Sequence, residues 1–503
     1  MADIQVPPMT GMTVPGCLRH FAAATPDALF VGEPGGVALS YADALEEVLA
    51  VASGLRASGV GAGDRVHLHL PNSAAFMVHL LAIGEVGAVA VPTNPESSSD
   101  ELAYILSHSG CVLSVSGPLG KQAVADARDL CPDLRDICGP QDLAALGRDR
   151  RTAGPAPHGL DPIAVLYTSG TTGWPKGVVV THANLLVAGE VVAGHLRLRP
   201  RDRWLVTLPL SHGNALFYSA MSALVTGASL VVSDGLDPAG WVDLARAHEI
   251  TVTSFFAAGL RSVLATSERV ADRDHQIRAA IFAQPLTDAQ LTRFEERFGL
   301  PLLQIYGMTE TVAPPLMNPL YGVRRNSTVG LPVLGYPVRV VAQDGGDSLS
   351  GELLVRGTPG VTLMAGYYNA PNLTEQTVVD GWLHTGDVVR VEPDGYVSFL
   401  DRAGDILKPD IENVSTGEIE RVLCEHPSVL EAAVTGAADE DGEQRVVAFV
   451  VIRPGQDVTT DELLDLCITQ LSPFKVPREL HLVDDLPRSA TGRVRRSALG
   501  GGR

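Results

Sequence analysis

Two hydrophobic periods alternate along most of this chain. Leu45, Val48, Leu49, Ala52 and Leu55 recur three and four apart, which predicts an amphipathic helix over 42–55. Val66-His67-Leu68-His69-Leu70 and Ala88-Val89-Ala90-Val91 are short runs of strand type, and 100–109 reads as helix again. The same alternation returns around strand-like runs at 204–208, 229–232 and 252–256. Such a βαβ rhythm predicts layered α/β subdomains. The most hydrophobic stretch, 76–91, holds His79, Glu85 and two glycines, so it reads as a core helix running into a strand rather than a membrane span.

The pattern changes after Asp394-Gly395-Tyr396, a hairpin turn, and the segment Asp401-Arg402-Ala403-Gly404-Asp405. From there 418–424, 429–435, 446–452 and 461–471 read as a small mixed α+β unit. A chain of 503 residues is too long for one core. The expected division is a large domain over 1–401 and a small one over 402–503. Pro155-Ala156-Pro157 reads as a short linker, and no internal repeat is evident.

One loop stands out chemically. Between the apolar runs 163–167 and 178–180 lie Thr168-Ser169-Gly170-Thr171-Thr172-Gly173-Trp174-Pro175-Lys176-Gly177. Glycines let backbone N–H groups converge on an anion, hydroxyls add donors, and lysine supplies a compact positive charge. This chemistry suits polyphosphate, although a solvated turn between strands is the plain alternative. The nucleotide loop of kinases and GTPases is excluded, because Pro175 precedes the lysine and Gly177 follows it.

Composition narrows the partners. Hydrophobic residues make up 45% and charged residues 19%, as in soluble globular enzymes. A net charge of -20 disfavours nucleic acid and anionic membranes. Cys17, Cys111, Cys131, Cys138, Cys424 and Cys467 lack metal-ligand spacing and read as reduced structural thiols. Met1-Ala2-Asp3-Ile4-Gln5 carries neither a basic region nor an apolar core, so the cytoplasm is the expected compartment.

Three further segments follow the loop in order: Gln304-Ile305-Tyr306-Gly307-Met308-Thr309-Glu310-Thr311, then Gly381-Trp382-Leu383-His384-Thr385-Gly386-Asp387, then Asp401-Arg402. Together with the loop they resemble the motifs of the AMP-forming adenylating superfamily, which includes acyl- and aryl-CoA ligases, adenylation domains of peptide synthetases and luciferases. The resemblance spans roughly Leu18 to Arg496. It implies a large N-terminal domain of layered sheets and helices, with a small mobile α+β lid pivoting near Gly404. It also implies ATP and Mg²⁺. The loop residues Ser169, Gly170, Thr171, Thr172 and Gly173, with Thr168 and Lys176, would grip the β- and γ-phosphates. Thr309 would donate to the α-phosphate, and Glu310 would hold Mg²⁺, a hard cation that prefers carboxylate oxygen. Tyr306 would stack on adenine, with Gly307 and Met308 beside it. Gln284 and Pro285 would form the turn next to the base. Asp387 would take the ribose hydroxyls, with Arg402 and Phe399 near.

The same resemblance places His212, in Pro209-Leu210-Ser211-His212-Gly213-Asn214, against the acid. Phe217, Phe255, Phe256, Ala257, Ala258, Ala283 and Met308 correspond to pocket positions. Phenylalanines among small residues suit a flat aromatic or short unsaturated acid, and would serve equally as core packing. No acidic residue marks an ammonium partner, which disfavours an α-amino acid.

Two departures bear on the acceptor. The family's terminal lysine is replaced by Arg493 in Pro487-Arg488-Ser489-Ala490-Thr491-Gly492-Arg493; arginine keeps the charge but is planar and forked. Asp410-Ile411 stand where CoA ligases usually carry the glycine that admits pantetheine. The expected activity is therefore adenylation of a small acid with release of pyrophosphate and transfer to an acceptor other than CoA. An ATP-dependent diazotase using nitrite and an aryl amine, an ordinary acyl- or aryl-CoA ligase, and a degenerate adenylate-binding protein stand as alternatives. Intact Thr309, Glu310 and Asp387 argue against the last. A monomer or homodimer is expected.

Overall fold

The computed structural model describes residues 11–97, 99–118, 120–148, 154–168, 175–342, 345–402, 406–407, 414–438, 444–471, 475–488 and 494–499. Among these the strands form a nine-stranded, a seven-stranded and a five-stranded sheet, plus a two-stranded and a three-stranded one nearer the C-terminus.

The expected helices appear where the 3.6-residue period placed them. Tyr41–Ala57 starts at Ser40, whose hydroxyl accepts from Asp43 N while the Asp43 carboxylate accepts from Ser40 N, a reciprocal cap. The apolar stretch at 76–91 resolves into the helix Ala74–Val86 and the strand Val89–Pro92, separated by Gly87 at φ 77°. Gly84 sits inside that helix despite its poor propensity, because a Cβ there would lie 2.8 Å from Ile163 Cδ1. No helix among the described residues is long and apolar enough to cross a membrane.

In the nine-stranded sheet, Leu302–Tyr306, Ala279–Ala283, Val252–Phe256, Arg203–Val206, Ser229–Val232 and Leu29–Gly32 run side by side and parallel. In the seven-stranded sheet, Pro162–Thr168, Val89–Pro92, Arg65–His69, Cys111–Ser116 and Asp136–Cys138 are likewise parallel. Lys176–Thr181 and Gly366–Tyr367 extend that sheet antiparallel. One buried cluster joins both sheets, from Val66 and Val180 through Leu80 and Leu185 to Val206 and Ile281. Burying two faces explains why these strands read as continuous apolar runs.

The outer face of the nine-stranded sheet has its own core around Trp241, Phe255, Phe294 and Phe298. Phe255 is 1% exposed and packs edge-on against Trp241 with ring centroids 5.4 Å apart. The expected pocket role of Phe255 is thereby corrected: neighbouring strand residues point to opposite faces, and Phe255 faces this core.

The hairpin at 394–396 connects Trp382–Val391 to Val397–Arg402, with Gly395 at φ 87°. Beyond it, Ile419, Val422, Val434, Val450 and Leu463 form a separate apolar cluster. The helices Thr416–Glu425 and Thr460–Gln470 and the strands Val429–Ala438 and Gln444–Ile452 supply it. All six cysteines are free thiols. Burial pushes the Cys111 thiol up to about 12.

Candidate active site

Four parallel strands deliver the candidate residues to one edge. Arg203–Val206 runs out into the segment that carries His212, Val252–Phe256 ends on Phe256, Ala279–Ala283 on Ala283, and Leu302–Tyr306 on Tyr306. Phe256 and Ala283 are register partners. Carboxyl ends of parallel strands are where open α/β sheets bind ligands, because the loops there diverge and expose backbone donors.

The loop after Tyr306 is held tightly. A Cβ at Gly307 would lie 2.5 Å from the Tyr218 hydroxyl and 3.2 Å from Pro314 Cα, so glycine is required for this close approach. Met308 N donates to Thr311 Oγ1 at 3.1 Å, and Thr311 Oγ1 donates back to Met308 O at 2.9 Å. Thr309–Thr311 forms a 3-10 turn that ends on Val312 at φ 65°, a strained conformation for a β-branched residue. Gln284, just past its strand, also takes a positive φ of 77°. Its neighbour Pro285 is exposed.

Tyr306 and Asp387 meet across two sheets. The Tyr306 hydroxyl donates to Asp387 Oδ2 at 2.6 Å, and the two residues are 8% and 3% exposed. Asp387 N in turn donates to Thr385 Oγ1 at 3.1 Å. The Phe399 ring lies 6.4 Å from that of Tyr306 at 33°. Arg402 pairs with Asp387 along the backbone, while its side chain lies outside the described residues.

Glu310 and Lys176 approach each other through a residue that sequence reasoning missed. The Tyr367 hydroxyl donates to Glu310 Oε1 at 2.9 Å, and Lys176 Nζ stands 5.8 Å from the centre of the Tyr367 ring. Met364 N donates to Glu310 O at 3.0 Å, so both ends of Glu310 are fixed. Lys176 opens its strand opposite Thr168, which closes the base of the phosphate-type loop. A Cβ at Gly177 would lie 2.7 Å from Val165 Cγ1, a second close approach that only glycine allows. Next to the described ends of this segment, His108 Nδ1 and the Tyr167 hydroxyl are 2.7 Å apart, and the Tyr104 hydroxyl donates to Pro175 O at 3.1 Å. Burial raises the Tyr167 phenol, which keeps it protonated. The loop residues Ser169, Gly170, Thr171, Thr172 and Gly173 lie outside the described residues, as do Gly404, Asp410, Ile411 and Arg493.

His212 precedes a π-helix over Asn214–Ala220, another feature no apolar pattern announced. Its N–H donates to Pro209 O, and its carbonyl accepts from Leu216 N, each at 3.0 Å. Phe217 is fully buried in this helix, against Gly213. Phe256, Ala258, Ala283 and Met308 are half-buried and Ala257 is buried.

The donor chemistry fits Mg²⁺ and ATP. Mg²⁺ is commonly held by one or two carboxylates together with substrate phosphate oxygens, and Glu310 places such a carboxylate at the hydroxyl of Tyr367, whose ring the Lys176 ammonium approaches.

Comparison with known proteins agrees. Residues 18–368 match the AMP-binding enzyme family, and residues 418–493 match the AMP-binding enzyme C-terminal domain. Sulfoacetate–CoA ligase of Cupriavidus necator is 34% identical over 489 residues, covering 95% of each chain. Crotonobetaine/carnitine–CoA ligase of Salmonella agona is 31% identical over 474 residues, covering 90% of this chain and 92% of that one. O-succinylbenzoate coenzyme A synthetase of Bacillus subtilis, solved with ATP and magnesium ion, superposes with a TM-score of 0.85 at 26% identity over 96% of this chain and 98% of that one. The chain belongs to the AMP-forming adenylating superfamily and is an enzyme that uses ATP and Mg²⁺ to adenylate an acid.

Proposed function

We propose that the enzyme activates a small acid as its adenylate and passes the acyl group to CoA. The observation that carries the first half is the convergence of Tyr306, Asp387, Glu310 and Lys176 at the carboxyl edge of the sheets. Asp387, oriented by the Tyr306 hydroxyl and by Thr385, would accept from the ribose hydroxyls. Thr309, on the strained turn, would donate to the α-phosphate, and Lys176 would meet the outer phosphates. Mg²⁺, held at Glu310, would neutralise charge on the departing pyrophosphate. His212 and Phe256 would border the acid. With Phe255 turned into the Trp241 core, the case for a flat aromatic acid loses one of its two adjacent phenylalanines. The domain boundary at 401/402 and the lid pivot at Gly404 belong to this reading.

The acceptor is supported by the two CoA ligases that resemble the chain over nine-tenths of its length or more. A second reading, transfer to an acceptor other than CoA, as in a diazotase-type enzyme, is favoured by Asp410-Ile411 and Arg493 alone. Mass spectrometry of products from a panel of small acids, with and without CoA, separates them. Acyl-CoA from the unmodified protein supports the ligase. An accumulating adenylate that CoA does not discharge but an amine does, or ATP-dependent pyrophosphate release that requires nitrite and an aryl amine, supports the second reading.

A further inference from the structure

A cleft of about 600 Å³ opens at the opposite edge of the nine-stranded sheet from the candidate active site. Arg278 and Pro301 line it, and they immediately precede the strands Ala279–Ala283 and Leu302–Tyr306. A five-residue strand therefore separates it from Ala283 and Tyr306, a span of about 16 Å at roughly 3.3 Å per residue.

The polar groups of the cleft are not equivalent. Arg278 is committed: its Nε and Nη2 donate to the two oxygens of Asp202 at 2.9 and 2.8 Å, and Nη1 donates to Leu196 O at 2.8 Å. Glu295 Oε1 accepts from Leu302 N at 3.2 Å, which ties this carboxylate to the sheet. Arg324 differs, because its Nε is buried without a hydrogen-bond partner. That Nε is closed to solvent and so to any ligand, but Arg324 lines the cleft and takes part in no ion pair among the described residues, which leaves its outer guanidinium N–H groups as the charge an anion in the cleft would meet. Beside it Tyr321 is 65% exposed, and the Arg197 guanidinium lies 4.9 Å from its ring centre. Leu300 and Leu320 provide an apolar floor.

We propose that this cleft binds a small organic anion, a carboxylate or phosphate carried on a planar apolar body. Arg324 engages the anionic head and Tyr321 stacks on the body. A guanidinium fork matches two oxygens of either head group, and the volume lies in the range of small-ligand sites. The protein carries a net charge of -20, so an anion is held here by local groups against the overall field.

The test uses the full chain with AMP at saturation, so that the nucleotide half of the active site is filled, and any benzoate held in the acid half is the part of the binding that Arg324→Gln leaves unchanged. Binding of phenyl phosphate and of benzoate is measured by calorimetry for the unmodified protein, Arg324→Gln and Tyr321→Ala. The expected result is saturable binding of one probe per chain, weakened at least tenfold in Arg324→Gln, with acid-dependent pyrophosphate release unchanged when no probe is present. A tighter complex with phenyl phosphate assigns the site to phosphate ligands, and the reverse order to carboxylates. Should Arg324→Gln fold poorly, the exposed Tyr321→Ala variant carries the test. The absence of saturable binding, or equal affinity in all three proteins, would overturn the proposal.

Discussion

Tyr306 closes a 2.6 Å hydrogen bond onto Asp387 although the two stand 81 positions apart and belong to different sheets. The bond makes one carboxylate the joint between the edge that ends in Gly307-Met308-Thr309 and the five-stranded sheet that leads to Arg402. Under the proposed function its role is geometric: a carboxylate that is to accept from two ribose hydroxyls needs a fixed plane.

Tyr306→Phe should therefore raise the KM for ATP tenfold or more while the protein folds normally. The variant keeps the ring and removes only a charge-assisted hydrogen bond, worth about 1.5–3 kcal/mol. Steady-state kinetics with ATP varied at saturating acid checks this. An unchanged KM would mean that Asp387 does not hold the ribose.

Glu310→Gln should lower kcat far more than it raises KM, because a metal-bound carboxylate acts mainly on charge that develops in the transition state. A variant keeping over a tenth of the original kcat, a loss below about 1.4 kcal/mol, would contradict the metal role. Tyr367→Phe should reproduce a milder version of the same loss, since it frees the Glu310 carboxylate from its 2.9 Å donor.

The C-terminal unit is latched to the large domain by a shared carboxylate. Glu431 accepts from Arg261 at 2.9 Å and also pairs with Arg488. Glu431→Gln should loosen this arrangement and raise amide hydrogen exchange across Thr416–Glu425 and Val429–Ala438. Exchange indistinguishable from the unmodified protein would show that the ion pairs do not hold the unit in place.

Stability should fall as the solution is acidified below pH 6.5. Burial lowers His69 and His182 from 6.5 to about 4 and holds His67 well below its ordinary value. The neutral rings are also hydrogen-bonded: His182 Nδ1 accepts from Val14 N at 3.3 Å, and Thr93 Oγ1 lies 2.8 Å from both His67 Nε2 and His69 Nδ1. Between pH 6.5 and 4 the unfolded chain binds protons that the folded chain refuses, so the folded state loses about 1.4 kcal/mol per pH unit for each such histidine. Thermal unfolding at pH 7.5, 6.0 and 5.0 should show a falling Tm, and the fall should shrink in His182→Asn. A Tm that stays level to pH 5 would contradict the assignment.

Much of this architecture can be read from residues alone, and the misses have physical causes. The helix Tyr41–Ala57 and the helix–strand split at Gly87 follow from period and glycine. Phe255 and Phe256 were both expected in the pocket, although the strand period of two allows only one of an adjacent pair to face it. The π-helix Asn214–Ala220 has no apolar signature, because one widened turn within a wholly buried segment leaves the hydrophobic pattern unchanged. Tyr367 escaped notice since its partner Glu310 is 57 positions away, and only the sheet extension at Gly366–Tyr367 brings them together. The Asp387–Tyr306 bond is of the same kind: each residue sits in a recognisable segment, but their contact is a property of sheet packing.

The most direct measurement follows the oxygen atoms of the acid. An adenylating enzyme joins a carboxylate oxygen to the α-phosphorus, and acyl transfer then leaves that oxygen on AMP. With an acid labelled with oxygen-18 in its carboxylate, the AMP formed in the presence of CoA should carry one labelled oxygen, and pyrophosphate none. Unlabelled AMP, or ADP and phosphate in its place, would contradict acid adenylation by this site.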